Sequence, residues 1–216
     1  MKKGDLLWIV VLCAFTALLA IPATHGAFIA ATDAHPYLMG FIKFALLATM
    51  GELLAARLAA GKWSKLPGMP LKVVIWGIIG ILIVLMFTLY SAGVAGAAGK
   101  NLLFVGNGFY SPFLKAFYTS VFMNLTFAPA FMAAHRMTDT WIEMRAAGGR
   151  PGWPAIVDSI DWKGFYKFVA AKTIPFFWIP AHTVTFMLPP EYRVLASAYL
   201  SIALGVILAY ARNRKA

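Results

Sequence analysis

The sequence predicts an all-α fold, a polytopic transmembrane bundle of about six helices in one domain, residues 1–216. Three observations carry it. Apolar residues make up 61% of the chain and charged residues only 12%, against about 25% charged in soluble domains. The apolar residues fall in runs long enough to cross a bilayer, with a mean hydropathy of +0.76 overall. The 19 Lys and Arg gather in alternate connecting segments. In a soluble protein the net charge of +11 would suggest nucleic acid; here membrane topology accounts for it, and no nucleic-acid partner is expected. Cys13 is the only cysteine, which excludes an internal disulfide and a thiolate metal cluster.

The first run, 6–23, follows a short basic start, Met1-Lys2-Lys3-Gly4-Asp5. Two readings compete for it. A signal peptide would have this basic head and apolar middle, with Thr24-His25-Gly26 as a passable cleavage site. A retained helix would continue past Pro22 towards Ala31, and the apolar Ala27-Phe28-Ile29-Ala30-Ala31 favours it. Cleavage would leave five spans.

The second run, 37–58, is the one around which the chain is organised. It opens on Ala34-His35-Pro36 and carries Lys43 and Glu52 inside an apolar stretch. At ~1.5 Å per residue it is ~33 Å long, enough for a bilayer core of ~30 Å. Glu52 lies about six residues, or ~9 Å, from the exit end. A carboxylate at that depth costs roughly 2.5 kcal/mol or more unless it finds a partner. Lys43, nine residues away, falls on the opposite helix face and is expected to snorkel towards the surface.

A loop of turn-formers, Gly61 to Pro70, precedes the third run, 71–94, where Gly77 and Gly80 would permit close helix contact. Gly93, Gly96 and Gly99 should loosen the chain, and Gly106-Asn107-Gly108 should turn it. The fourth run, 112–134, places Asn124 near mid-span. The segment 136–163 is polar, and Met137, Trp141 and Met144 suit an amphipathic helix lying on the membrane. The fifth run, 165–188, contains Pro175 and Pro180 and should bend. Pro189-Pro190 ends it, and the sixth run is 192–210.

The charges support this map. With the N-terminus inside, inner segments hold thirteen of the 19 basic residues: Lys2, Lys3, Arg57, Lys62, Lys65, Lys72, Arg136, Arg145, Arg150, Lys163, Arg212, Arg214 and Lys215. Outer segments hold Lys100 and Arg193. The remainder, Lys43, Lys115, Lys167 and Lys172, lie in or near spans. This asymmetry predicts both termini on the cytoplasmic side, in a plasma (inner) membrane, or in an organelle membrane if the source is eukaryotic.

Lys172 lies at a depth close to that of Glu52, so a Glu52–Lys172 ion pair is the leading expectation for the buried carboxylate. Such a pair either fixes helix register or lines a polar path. Asn124 reads as interhelical glue or as a solute ligand. His182, Thr183 and Thr185 follow Pro180, where backbone carbonyls are freed, and either line a cavity or pack helices. The four histidines lack metal-ligand spacing, and no nucleophile or phosphate-loop motif occurs. Neither enzymatic activity nor a cofactor or metal is therefore expected.

Three blocks resemble the Mpv-seventeen and peroxisomal-membrane-protein-twenty-two family of small integral membrane proteins. The first is His35-Pro36 with Met50-Gly51-Glu52, Glu52 standing where that family has Asp. The second is Phe127-Ala128-Pro129, with Asn124 near the family's Asp-Gln pair. The third is Trp178-Ile179-Pro180, then Thr185-Phe186, then Pro189, Tyr192 and Arg193, with Thr185 where Asn is usual. A closing Tyr199-Leu200-Ser201 adds to it. The resemblance covers Ala34 to the end, is that of a distant, bacterial-type member, and implies a weakly selective pore for small solutes. The expected partners are the lipid bilayer, a small solute or ion, and further copies of the chain. The polar path would include Glu52, Lys172, Asn124 and His182. The alternative is a membrane scaffold or assembly protein, its polar residues paired and dry and its segment Arg136 to Lys163 docking a protein.

Overall fold

The computed structural model describes residues 3–213. Lys2, Arg214 and Lys215, and the side chain of Arg212, lie outside the described residues. The described chain is helical, and no strand occurs in it. The helices are α1 (Lys3–Ala20), α2 (Pro22–Ala34), α3 (Pro36–Ala60), α4 (Met69–Gly99), α5 (Ser111–Ala146), α6 (Trp153–Asp158) and α7 (Trp162–Gly164). A π-helix (Phe165–Trp178), α8 (Ile179–Met187) and α9 (Pro190–Asn213) complete the order. Four of them, α1, α3, α4 and α5, are long and apolar enough to cross a membrane. The sixth run of the sequence lies within α9, while the fifth is divided between the π-helix and α8.

Proline sets most boundaries. Pro22, Pro36 and Pro190 each open a helix, where a missing N–H costs nothing. Pro22 also explains why the first run does not continue as one helix to Ala31. It has no N–H for the Leu18 carbonyl, and the Thr24 hydroxyl donates to that carbonyl instead, at 2.8 Å. His35 then stands between α2 and α3, and Gly61, at φ +69°, ends α3.

Two expectations change in the middle of the chain. Gly93, Gly96 and Gly99 do not loosen α4, which runs to Gly99. The segment after Ala134 is not a separate interfacial helix, because no Gly or Pro interrupts Ala134 to Ala146 and α5 runs on as one 36-residue helix. At ~1.5 Å per residue α5 is ~54 Å long, well beyond a ~30 Å hydrocarbon core. Trp141, on the expected apolar stripe, is exposed, whereas its neighbour Ile142 is buried. The bend expected at Pro175 and Pro180 takes the form of a register change: fourteen residues of π-helix pass into α-helix at Ile179.

The chain forms two compact units. The first comprises Met1–Leu66, Val73–Val84 and Val194–Ala216. Its helices meet where side chains are absent. A Cβ on Gly80 would fall on the Gly40 carbonyl oxygen, so α3 and α4 touch backbone to backbone there. A Cβ on Gly51 would lie 2.8 Å from the Ser201 carbonyl oxygen, and one on Gly205 would lie 2.8 Å from that of Gly51. This second contact seats α3 against α9. Phe44, Leu47 and Ala48 of α3 and Leu195 and Ala198 of α9 are buried. α1 buries none of its residues, but side-chain bonds tie it down. Asp5 meets Arg57 at 3.0 Å and accepts from Trp63 Nε1 at 2.8 Å. Trp8 Nε1 donates to the Met50 carbonyl, and Thr16 pairs with the Tyr199 hydroxyl at 2.7 Å.

The second unit comprises Pro67–Lys72 and Leu85–Arg193. Its main packing is between α5 and α8, along Ala116, Met123 and Ala128 on one side and His182, Thr185 and Phe186 on the other. At the far end of α5, Lys72 is buried and donates to Asp139 at 3.0 Å, with His135 Nε2 3.6 Å from the same carboxylate.

Candidate functional site: a polar seam beside an open cleft

Asn124 and His182, singled out from the sequence on separate grounds, face each other in the second unit. Asn124 is fully buried in α5. Its Nδ2 donates to the Ser120 carbonyl at 2.8 Å and lies 3.1 Å from His182 Nδ1. The Asn124 Oδ1 lies 3.3 Å from the same ring nitrogen, and the Ser120 hydroxyl lies 3.3 Å from Nδ2. The imidazole tautomer decides whether the Asn124 amide donates to Nδ1 or a proton on Nδ1 is donated to the Asn124 carbonyl oxygen. His182 Nε2 is buried and has no hydrogen-bond partner.

The ring is held on three sides. Trp178 stacks on it at 5.1 Å between centroids, 23° from parallel. Phe87 of α4 meets it edge-on at 5.6 Å, and Phe186 packs on Phe87 at 4.8 Å. Trp178 Nε1 is likewise buried and without a partner. Two stacked rings therefore each carry a buried nitrogen with no hydrogen-bond partner. Each such group costs about 1–3 kcal/mol relative to a satisfied one. Ser120 completes the seam. Its hydroxyl donates to the Ile179 carbonyl at 2.7 Å, and so does that of Thr183 at 2.7 Å. Ile179 is the first residue after the π-helix, so these hydroxyls anchor the point where the register changes.

Beside the seam opens a cleft of about 500 Å³. Ser91 of α4, Ser111, Lys115 and Thr119 of α5, Phe186 of α8 and Arg193 of α9 line it, among others. Thr119 precedes Asn124 by five residues, ~7.5 Å along α5, and Phe186 follows His182 by one turn. Arg193 stands out in the sequence, but the cleft does not, because its members come from four separate stretches of chain.

Glu52 and Lys172 lie in different units. The Glu52 carboxylate accepts from Trp76 Nε1 at 3.0 Å within the first unit. Lys172 is exposed on the π-helix. Trp76 is a partner that sequence reasoning missed, since charge matching looks for a cation and overlooks an indole. Lys43 does not snorkel. It is 1% exposed, donates to the Thr32 hydroxyl at 3.0 Å and stands 4.6 Å above the Phe28 ring, because α2 folds over it.

The positions that carry the family resemblance divide between the units. In the first, His35 and Pro36 form the α2–α3 junction, Gly51 makes the close contact with α9, and Tyr199 holds Thr16. In the second, Trp178 and Phe186 surround His182, while Arg193 donates through Nε to the Leu188 carbonyl at 2.9 Å. Pro180 stands in the first turn of α8, Pro189 lies between α8 and α9, and Pro129 lies inside α5 two residues after Phe127, which stacks on Phe131. Comparison of the chain with family models, curated proteins and solved structures finds no match.

Proposed function

We propose that this chain is an integral membrane protein that passes small polar solutes with weak selectivity, along the α5–α8 seam of its second unit. One observation carries the reading: a buried polar seam whose two stacked rings, His182 and Trp178, each hold a buried nitrogen with no hydrogen-bond partner. Helices locked only for packing gain nothing from leaving such groups unsatisfied. A path that admits water or solute supplies the missing partners when it is wet.

The four apolar helices support insertion in a bilayer. α9, with 24 residues, and the π-helix with α8 supply the remaining two passes of a six-span topology. The distribution of basic residues supports both termini on the cytoplasmic face, here taken as that of a plasma (inner) membrane. On this reading the chain is a distant member of the Mpv-seventeen family, without enzymatic activity, and works as single or associated copies. The side-chain ties of α1 to α3 and α9 support a retained first helix.

The competing reading, a scaffold without transport, draws on a different observation: Asn124 is dry and bonded to protein, and Glu52 has Trp76. Solute flux and single-channel conductance of the purified protein in liposomes separate the two. Passage predicts conductance above protein-free bilayers, reduced at least tenfold in Asn124→Leu. A silent bilayer with well-folded wild-type protein overturns the proposal in favour of the scaffold.

A further inference from the structure

The cleft beside the seam has a chemistry of its own. Two cationic side chains open onto it and no carboxylate lines it. Arg193 uses Nε on the Leu188 carbonyl and lays its guanidinium 5.9 Å from the Phe186 ring. Among the described residues its two terminal nitrogens meet no protein acceptor. The Lys115 ammonium enters no ion pair among them either. Glu191 attracts the Arg193 guanidinium electrostatically, but it does not line the cleft. The hydroxyls of Ser91 and Ser111 also face no protein partner among the described residues, while that of Thr119 is committed to the Lys115 carbonyl at 2.7 Å.

The donors are therefore a guanidinium fork, an ammonium and two hydroxyls. A fixed fork matches the paired oxygens of a carboxylate or phosphate, and a lysine adds a point charge. The volume of about 500 Å³ lies within the range of small-molecule sites, roughly 300–1,000 Å³. The neighbouring cleft of about 450 Å³, lined by Leu89, Tyr90, Val94 and Phe122 among others, has no charged residue. The two clefts thus differ in charge, and the cationic lining belongs to the one that holds Lys115 and Arg193.

We propose that this cleft is a binding site for the oxyanion group, carboxylate or phosphate, of a small organic anion, held by Arg193 and Lys115 with Ser91 and Ser111. The site goes beyond solute passage and does not depend on it: a scaffold could carry it equally well.

Isothermal titration of the purified protein in neutral detergent tests it, with three probes: succinate, inorganic phosphate, and phosphatidylglycerol in mixed micelles. Saturable binding of at least one probe is expected. It should weaken at least tenfold in Lys115→Met, whose side chain is exposed and whose loss leaves the fold intact. Arg193→Lys, which keeps the charge and removes the fork, should weaken it severalfold. Lys100→Met, a basic residue outside the cleft, should leave it unchanged. Binding of succinate or phosphate assigns the site to free anions, and binding of phosphatidylglycerol alone assigns it to a lipid headgroup; both uphold an oxyanion site. The proposal is overturned if no probe binds saturably to folded wild-type protein. It is overturned equally if Lys100→Met weakens binding as much as Lys115→Met does, since that is the behaviour of diffuse charge.

Discussion

The two units treat their polar side chains differently. In the first, the charged groups among the helices have partners close at hand. Asp5 has Arg57 and Trp63, Glu52 has Trp76, and Lys43 has Thr32; the Thr49 hydroxyl is the buried exception. The second unit has an equally firm tie in Lys72–Asp139. Yet around α8 it leaves two buried ring nitrogens without hydrogen-bond partners and two cations facing an open cleft. Polar groups in an apolar environment are costly unless satisfied. The first unit has met that cost internally, while the second keeps donors in reserve. Reserve is what a site for something outside the chain requires.

The largest expected effect tests the packing side of this contrast within one helix. Gly80 lies in the part of α4 that belongs to the first unit, and its missing side chain admits the Gly40 backbone. Gly93 lies in the part that belongs to the second, and a Cβ added there would meet nothing within 4 Å. Gly80→Leu should abolish the monodisperse folded species on size-exclusion chromatography, because backbone cannot yield as a side-chain tip does. Gly93→Ala should fold normally and gain about 0.5–1 kcal/mol in helix propensity, read as a higher unfolding midpoint. Equal tolerance of both changes would show that the close contact is not needed.

Asn124 and His182 supply the sharper test. Asn124→Leu leaves His182 Nδ1 without its hydrogen-bond partner and should destabilise by about 1–3 kcal/mol. The double change Asn124→Leu/His182→Phe replaces both partners with apolar groups of similar size. Such replacements are nearly neutral, and this one also removes the unsatisfied Nε2. The double variant should therefore recover the stability lost in the single one, measured by thermal unfolding in detergent, while its liposome flux stays at the background level. Recovered stability with wild-type flux would take the seam out of the path.

Much of the first unit was legible in the sequence because its signals are local. The α3 boundaries follow from His35-Pro36 and Gly61. Gly80 was readable as a contact point, although its partner, Gly40, was not. The site was less legible. Asn124 and His182 each drew attention alone, but their meeting depends on the π-helix, which shifts the register before α8. Proline positions signal a bend there and give no indication that fourteen residues adopt i→i+5 bonding. The cleft was invisible for a related reason: Ser91, Lys115 and Arg193 are brought together only by tertiary packing. Lys43 misled because helix periodicity placed it opposite Glu52 without showing that α2 covers that face.

Lys43→Met should have a smaller effect. Thr32 keeps its bond to the Phe28 carbonyl at 2.9 Å, and removing a buried ammonium relieves desolvation. Removing the ammonium also takes away its attraction to Asp33, which opposes the relief of desolvation, so the unfolding midpoint should change little. A fall of several degrees would mean that the ammonium is essential to seating α2.

The smallest effect is expected at Glu52. In Glu52→Gln the side chain keeps a carbonyl oxygen for Trp76 Nε1, so only the charge is lost. A change that preserves the hydrogen bond and the volume should stay within about 1 kcal/mol. In Glu52→Leu the indole loses this acceptor, and the cost should rise to about 1–3 kcal/mol. The pair of variants thus separates a structural carboxylate from a functional one. If the first unit is the satisfied partner in this comparison, Glu52→Gln leaves both stability and ion selectivity of the liposome conductance unchanged. A shift in selectivity at unchanged stability would put the Glu52 charge in the permeation path. The reserve of polar function would then extend to the first unit, and the division between the two would fail at the residue where the sequence first suggested chemistry.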